Sequence, residues 1–339
     1  MSSCPLSYAL NFPSKPKFKS RCLYVVGGLY GNVFALKEIL SMADAEGADV
    51  VFNGDIHWFD AEAKSFKEIE QEIAKRALTA INGNVEFELA SGQNGCGCFY
   101  PSCTDAGAVD RSNLIHARLR ELVRQECEHF LDIFKKRAKC ELVSVGTVNV
   151  AITHGDEKFL AGWGCSRENL ATKARQDELN LWLKEHKFDV LACTHTCAPA
   201  AIALENGVVI NNGAAGMPNF APLNLEFADA EKILKFTAKT SSEEHVTERK
   251  PYARNLSGTL FGLISRIAVT PNKEAIYRAK RERIYVEALP VRYDGAKFLN
   301  WFDEIWDAQS PAAISYRSRI ASGTMDEISD AMLGGFIQI

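Results

Sequence analysis

The chain has 339 residues, 47% of them hydrophobic and 24% charged, a composition typical of a globular protein with one large or two modest domains. No apolar run approaches the roughly 18 residues of a membrane-spanning helix, and the N-terminal segment lacks the continuous apolar stretch of a signal peptide. The net charge of −4 gives no electrostatic reason to expect binding to nucleic acid or to an anionic membrane.

Ten cysteines without an export signal indicate reduced thiols and a cytoplasmic protein. Three of them, Cys96, Cys98 and Cys103, crowd one glycine-rich loop. They could supply three ligands of a structural zinc ion, with Cys4 or His116 as the fourth. Because the spacing is not the usual pair of C-x2-C knuckles, we favour the simpler interpretation of small thiols packed within the loop.

Apolar runs rich in β-branched residues alternate with helical patterns through the first 215 residues. In chain order the patterns predict a strand at 23–28, a helix at 32–47, a strand at 49–55, a helix at 65–81, a loop at about 91–110 and a helix at 111–138. There follow strands at 140–146 and 147–156, a helix at 167–187, a strand at 188–196 and a hairpin turning at Asn206-Gly207. This order predicts an α/β fold in which helices flank the sheets.

The last part of the chain is less regular. Residues 238–256 are polar and predict a flexible loop, whereas 260–270 and 283–294 predict strands and 296–308 predicts a helix.

Polar residues stand directly after four of the apolar strands: Asp55, Asn84, His154 and His195. An α/β sheet presents its ligands at the carboxyl ends of its strands. One carboxylate, one amide and two imidazoles form a suitable shell for a borderline divalent cation. Taken singly, each residue has a simpler explanation, such as a turn or a histidine with satisfied hydrogen bonds, but four in succession favour a metal site.

These strand ends resemble the motifs of the calcineurin-like metallophosphoesterases. The segments GGLYGN, NGDIHWFD, INGNVEFEL, ITHGDE and CTHTCAP follow the order of that family's D-x-H, G-D-x-x-D, G-N-H-[DE], H and G-H-x-H motifs, within about residues 20 to 215. The resemblance implies a four-layer α/β/β/α sandwich of two mixed sheets. It also implies a core at 20–230, and we expect residues 231–339 to complete or cap the second sheet.

The departures from the family pattern are concentrated on one of its two metals. The resemblance places Gly28, Tyr30 and Cys197 at the positions of the ligands that bind only the first metal. The ligands of the second metal are all retained, namely Asp55, Asn84, His154 and His195. The comparison implies one divalent ion, with manganese, zinc or iron as the candidates, and a second ion that is weakly bound or absent.

The catalytic groups also differ from the family pattern. Val85 stands where the family has a histidine thought to assist the leaving group, and Trp58 replaces an aspartate. His57 and Glu86 are the candidates to compensate, although His57 is equally well explained as an exposed loop residue. The 91–110 loop should lie over the cleft, where Arg111 and Tyr30 are candidates to bind substrate, unless Arg111 is only a surface residue.

Two functions of different classes follow. The first is a metal-dependent phosphoesterase-like hydrolase, a phosphatase or phosphodiesterase with one retained metal site, acting on a phosphate-bearing small molecule. The second is a catalytically weak or inactive member that binds a metal, a phosphate ligand or another protein. Loss of the first metal and of the general acid disfavours efficient hydrolysis.

Overall fold

The structure, a computed structural model, describes residues 4–222 and 260–339. The polar loop predicted at 238–256 and the predicted domain boundary at 230/231 lie outside the described residues. Within them, no helix is long and apolar enough to cross a membrane.

The described residues form nine α-helices and fourteen strands, numbered here in chain order. The helices are α1 Val33–Glu46, α2 Ala63–Arg76, α3 Asn84–Ser91, α4 Ala106–Glu126, α5 His129–Lys136, α6 Arg167–Leu170, α7 Lys173–His186, α8 Gly295–Ile305 and α9 Pro311–Ser322. The strands are β1 Phe18–Ser20, β2 Cys22–Val26, β3 Asp49–Asn53, β4 Thr79–Ile81, β5 Cys140–Val145, β6 Val148–Thr153, β7 Val190–Cys193, β8 Ala200–Ala203, β9 Val208–Asn211, β10 Gly262–Ala268, β11 Tyr277–Arg281, β12 Ile284–Val291, β13 Met332–Gly334 and β14 Ile337–Gln338.

The strands form two mixed sheets of seven strands each. Sheet 1 has the order β14-β11-β12-β10-β2-β3-β4, and sheet 2 has the order β1-β5-β6-β7-β9-β8-β13. The strands that precede the predicted metal ligands are parallel neighbours: β3 with β4 in sheet 1, and β6 with β7 in sheet 2. The carboxyl ends of neighbouring parallel strands meet at one edge, which brings the polar residues together.

The layers follow from the alternation of side chains along the strands. On β2, Tyr24 and Val26 pack with the helices outside sheet 1, whereas Leu23 and Val25 belong to the apolar layer between the sheets. A further cluster packs α7 on the outer face of sheet 2. Because successive side chains of a strand point to opposite faces, each buried strand contributes side chains both to the layer between the sheets and to the layer under the outer helices. The predicted four-layer α/β/β/α sandwich is confirmed.

Most of the C-terminal strands belong to sheet 1, the sheet that contains β2. Strand β10 pairs antiparallel with β2, with Ser265 opposite Val25, and β12 and β11 continue the sheet outward. The sequence predicts that residues 231–339 complete or cap the second sheet. Among the described residues, β13 adds an edge strand to sheet 2, beside β8. The described C-terminal strands thus take part in both sheets.

Several predicted boundaries are corrected by the structure. The helix predicted at 65–81 ends at Arg76, because Ala77 adopts an extended conformation and Thr79–Ile81 forms β4. The helix predicted at 111–138 is two helices, separated at Cys127, and the first begins earlier, where the Asp105 side chain caps it. The helix predicted at 167–187 is likewise divided, since Thr172 caps a new helix.

Candidate metal centre

Four polar side chains converge where strands of the two sheets end. Asp55 follows β3, Asn84 begins the helix after β4, and His154 and His195 follow β6 and β7. The Nε2 atom of His154 lies 3.3 Å from Asp55 Oδ1 and 3.0 Å from Asn84 Oδ1. His195 Nδ1 lies 3.1 Å from the same nitrogen. All four residues are buried, and Asp55, His154 and His195 form a group able to hold a metal ion.

Hydrogen bonds behind the two histidines fix which ring nitrogen carries the proton. His154 Nδ1 lies 3.0 Å from the backbone oxygen of Asn53, and His195 Nε2 lies 3.1 Å from that of Cys98. Because a carbonyl oxygen can only accept, each outer nitrogen donates its hydrogen. In the neutral rings, His154 Nε2 and His195 Nδ1 therefore direct lone pairs toward the centre, the arrangement usual behind metal-bound histidines.

The other two side chains are oriented in the same way. Asn84 Nδ2 donates to the backbone oxygen of Cys96 at 2.8 Å, so the amide oxygen is the atom that faces inward. The Asp55 carboxylate accepts from the backbone N–H of Val85 at 3.3 Å and directs the same oxygen toward His154. When both rings are neutral, four acceptors face one another in a buried space, an arrangement that a cation would stabilise.

The donor set fits a divalent ion. Bonds of about 2.0–2.2 Å to nitrogen and oxygen place neighbouring ligand atoms about 2.8–3.6 Å apart, from octahedral to tetrahedral geometry. The separations of 3.0–3.3 Å around His154 Nε2 match that requirement. Imidazole with carboxylate and amide oxygen suits zinc, iron and manganese, so the chemistry does not select one of them.

The electrostatics of the group favour an anionic Asp55 and a neutral His195. Burial would raise the pKa of Asp55, but the facing His154 and His195 lower it below its ordinary value. Burial and the adjacent His154 lower the pKa of His195 to about 3. A carboxylate and a neutral imidazole are the forms that bind metals.

The turn after β2 is closed by a contact between two side chains. Tyr30 Oη and Cys197 Sγ are 2.7 Å apart, and Tyr30 is only 4% exposed. Gly28 has φ +65°, and a Cβ there would lie 2.8 Å from the Tyr30 ring. Tyr30 is thus engaged inside the protein, and this structure leaves its predicted contact with substrate without support.

Glu86 holds the turn that carries Asp55. Its Oε1 accepts from the backbone N–H groups of Ile56 at 2.8 Å and His57 at 3.2 Å. Its Oε2 accepts from those of Asp55 at 3.0 Å and Gly83 at 2.9 Å. Asp55 itself has φ +49°, a conformation that needs such support. These contacts support a positioning role for Glu86, and its predicted catalytic role stays a prediction.

His57 belongs to a separate buried cluster. Its Nδ1 lies 2.6 Å from Asp60 Oδ2, its Nε2 lies 2.9 Å from Glu70 Oε1, and its ring stacks on Phe66 at 3.7 Å. Burial opposes a charge on the ring, but the two carboxylates outweigh it and raise the pKa of His57 to about 9. His57 is buried and is therefore not the exposed loop residue considered from the sequence. Both of its ring nitrogens are hydrogen-bonded, so this geometry gives no support to its predicted catalytic role, which stays a prediction.

Arg111 contacts the C-terminal helix α9. Its Nε donates to Ser315 Oγ at 2.8 Å, so the guanidinium binds this part of the chain. A phosphate-binding role for Arg111 has no support from this geometry. The same helix carries Arg319, whose Nη2 donates to the backbone oxygen of Cys197 at 2.9 Å. No motif in the sequence pointed to Arg319, because the contact joins residues more than a hundred positions apart.

The loop predicted at about 91–110 spans 92–105 in the structure, between α3 and α4, and its backbone oxygens at Cys96 and Cys98 contact Asn84 and His195. Cys96 and Cys98 are buried, while Cys103 is exposed. Among the described residues, the metal-binding group found is Asp55, His154 and His195, without these cysteines. The packed-thiol interpretation therefore fits Cys96 and Cys98 better than the zinc site.

Comparisons with known proteins concern the fold. No protein-family model matches the chain, and no curated protein matches it either. A hypothetical protein from Pyrococcus horikoshii OT3, PH1004, superposes with a TM-score of 0.53 at 12% identity, over 91% of this chain and 100% of that one. A metallophosphoesterase from Sphaerobacter thermophilus gives a TM-score of 0.49 at 14% identity, over 89% and 100%. The E. coli phosphoesterase YfcE gives 0.31 at 18% identity, over 58% and 85%.

The similarity to PH1004, whose TM-score is above 0.5, concerns the α/β fold with its two mixed seven-stranded sheets and flanking helices. At these identities the similarity describes architecture, and function has to be argued from the site.

Proposed function

We propose that the chain is a divergent member of the calcineurin-like metallophosphoesterases that binds one divalent ion through Asp55, Asn84, His154 and His195. The observation that supports this is the inward orientation of four acceptor atoms, each positioned by a backbone hydrogen bond behind it. The function that fits best is a one-metal phosphoesterase-type hydrolase, a phosphatase or phosphodiesterase, acting on a phosphate-bearing small molecule.

When bound, a divalent ion supplies a Lewis acid that polarises a phosphoryl oxygen and a means of lowering the pKa of a water molecule. In this chain, Asp55 contributes the anionic ligand, and Glu86 holds its turn in place. Tyr30 and Cys197 close the turn where the family has its other metal. Val85 is buried and cannot donate a proton to a leaving group. Turnover is therefore expected to be slow.

A second candidate is a metal-binding protein without turnover. It is favoured by the burial of all four ligands, since a substrate would have to displace part of the covering loop to reach an ion.

Hydrolysis of bis(p-nitrophenyl) phosphate and p-nitrophenyl phosphate, measured with added manganese or zinc, separates the candidates. For the hydrolase we expect slow, metal-dependent release of p-nitrophenol that Asp55→Asn abolishes. Retained activity in Asp55→Asn would contradict the site. Stoichiometric metal in the wild type with no turnover of either ester would favour the second candidate.

A further inference from the structure

We infer that the loop at 92–105 positions two of the four metal ligands, so that loop closure and metal binding are coupled. This inference rests on the proposed metal site. It also assigns Trp163 as a positioning residue. The Trp163 side chain donates a hydrogen bond to the backbone oxygen of the loop that also contacts one of the metal ligands.

Backbone groups from two different parts of the chain orient the four ligands. His154 and Asp55 are held by backbone groups at the ends of sheet strands and at the start of α3. Asn84 and His195 instead donate to the backbone oxygens of Cys96 and Cys98, at 2.8 and 3.1 Å. Half of the ligand set thus depends on backbone atoms of the covering loop.

The backbone of the loop is unusual at this point. Gly97 has φ +66°, and a Cβ there would lie 2.1 Å from Tyr8 Oη, so this position excludes a side chain. Gly95 and Phe99 also have positive φ, at +100° and +45°. Glycine adopts a positive φ without strain, but Phe99 does not, so the backbone beside the buried Cys98 needs support from its surroundings.

Trp163 supplies that support. Its Nε1 donates to the backbone oxygen of Cys98 at 3.0 Å, the same oxygen that accepts from His195. Its ring also packs edge-on against His195, with centroids 5.2 Å apart. Trp163 therefore fixes the Cys98 carbonyl and, through it, the tautomer and orientation of His195.

Coupling of this kind acts in both directions. Displacing the loop removes the backbone oxygens that accept hydrogen bonds from Asn84 and His195. The affinity of the site for an ion should therefore fall. An ion that requires both side chains to face inward should in turn hold the loop closed. A small phosphate ester that opens the loop would meet a more weakly held ion.

The test compares Trp163→Phe with Trp301→Phe. Trp301 is a matched control because its Nε1 donates to Glu62 at 3.1 Å, outside the metal group. Affinity for zinc and for manganese is measured by competition with a chelating dye. Amide hydrogen exchange of peptides covering 92–105 is measured with and without metal.

We expect Trp163→Phe to weaken metal binding by about tenfold, a typical effect for a residue behind a metal ligand, and Trp301→Phe to leave it unchanged. Metal should slow exchange in the loop of the wild type. Equal affinity in the wild type and Trp163→Phe, or loop exchange that does not respond to bound metal, would overturn the coupling. Failure of the wild type to bind either metal would instead refute the proposed site.

Discussion

The hydroxyl of Tyr30 lies 2.7 Å from the thiol of Cys197, although 167 positions separate the two residues. Tyr30 follows β2 in sheet 1, and Cys197 follows β7 in sheet 2, so the contact joins strand ends of the two sheets. The sequence resemblance places both residues where the calcineurin-like metallophosphoesterases have metal ligands. Their contact gives a physical reason to expect one ion in this site.

Restoring the missing ligands should create a second metal site. The triple variant Gly28→Asp, Tyr30→His, Cys197→His removes the Tyr30 ring and supplies three donors. We expect a second equivalent of manganese by elemental analysis and faster hydrolysis of bis(p-nitrophenyl) phosphate. Because Gly28 has φ +65°, the aspartate should lower the free energy of unfolding by about 1–2 kcal/mol.

The control for this repair is the double variant Tyr30→His, Cys197→His, which keeps Gly28. It should be more stable than the triple variant and bind the second ion less tightly. A folded triple variant that still takes up a single equivalent would show that the first-metal position cannot be rebuilt on this backbone.

Replacing Glu86 with glutamine should destabilise the protein and weaken metal binding. Each carboxylate oxygen of Glu86 accepts from two backbone N–H groups, so either orientation of an amide places an NH2 group against two donors. We expect a loss of about 2–4 kcal/mol in the free energy of unfolding. Urea denaturation measures this loss, with Glu178→Gln as the exposed control. A change below about 0.5 kcal/mol for Glu86→Gln, as at an ordinary surface position, would contradict the positioning role.

Stability should fall at alkaline pH because of His57. Its pKa is raised from 6.5 in the unfolded chain to about 9 in the folded protein, mainly by Asp60. Between these values the folded state binds the extra proton, so the free energy of unfolding decreases as pH rises. The contribution is fully present below pH 6.5 and lost as pH passes through about 9, for a total of about 3 kcal/mol.

Urea denaturation of the wild type and His57→Gln at pH 6, 7.5 and 9.5 measures this dependence. The wild type should lose stability across the series, and the variant should show a flatter profile. Parallel profiles would mean that other groups cause the alkaline loss.

The fold was predictable because its signals are local. Buried strands such as β3 and β7 are short apolar runs, and the hairpin of β8 and β9 turns within residues 204–207, which contain the Asn206-Gly207 pair. Helix ends were harder to predict. The break at Cys127 and the edge strand β4 depend on packing that no local pattern encodes.

The four ligands of the candidate metal centre could be proposed from sequence because each stands at a strand end. The contacts of the residues around these ligands could not be predicted from the sequence. His57 looked available beside Asp55 because its partner Glu70 lies on α2, a helix whose approach only the fold defines. Arg111 looked free because its partner Ser315 lies 204 positions away.

The metal content of the protein tests the central claim most directly. Protein purified without chelator and supplied with excess manganese or zinc is desalted, and bound metal is measured by elemental analysis. We predict one equivalent in the wild type and a large loss in Asp55→Asn, with circular dichroism confirming that the variant is folded. Two equivalents in the wild type, or one equivalent retained in folded Asp55→Asn, would contradict the single site formed by Asp55, Asn84, His154 and His195.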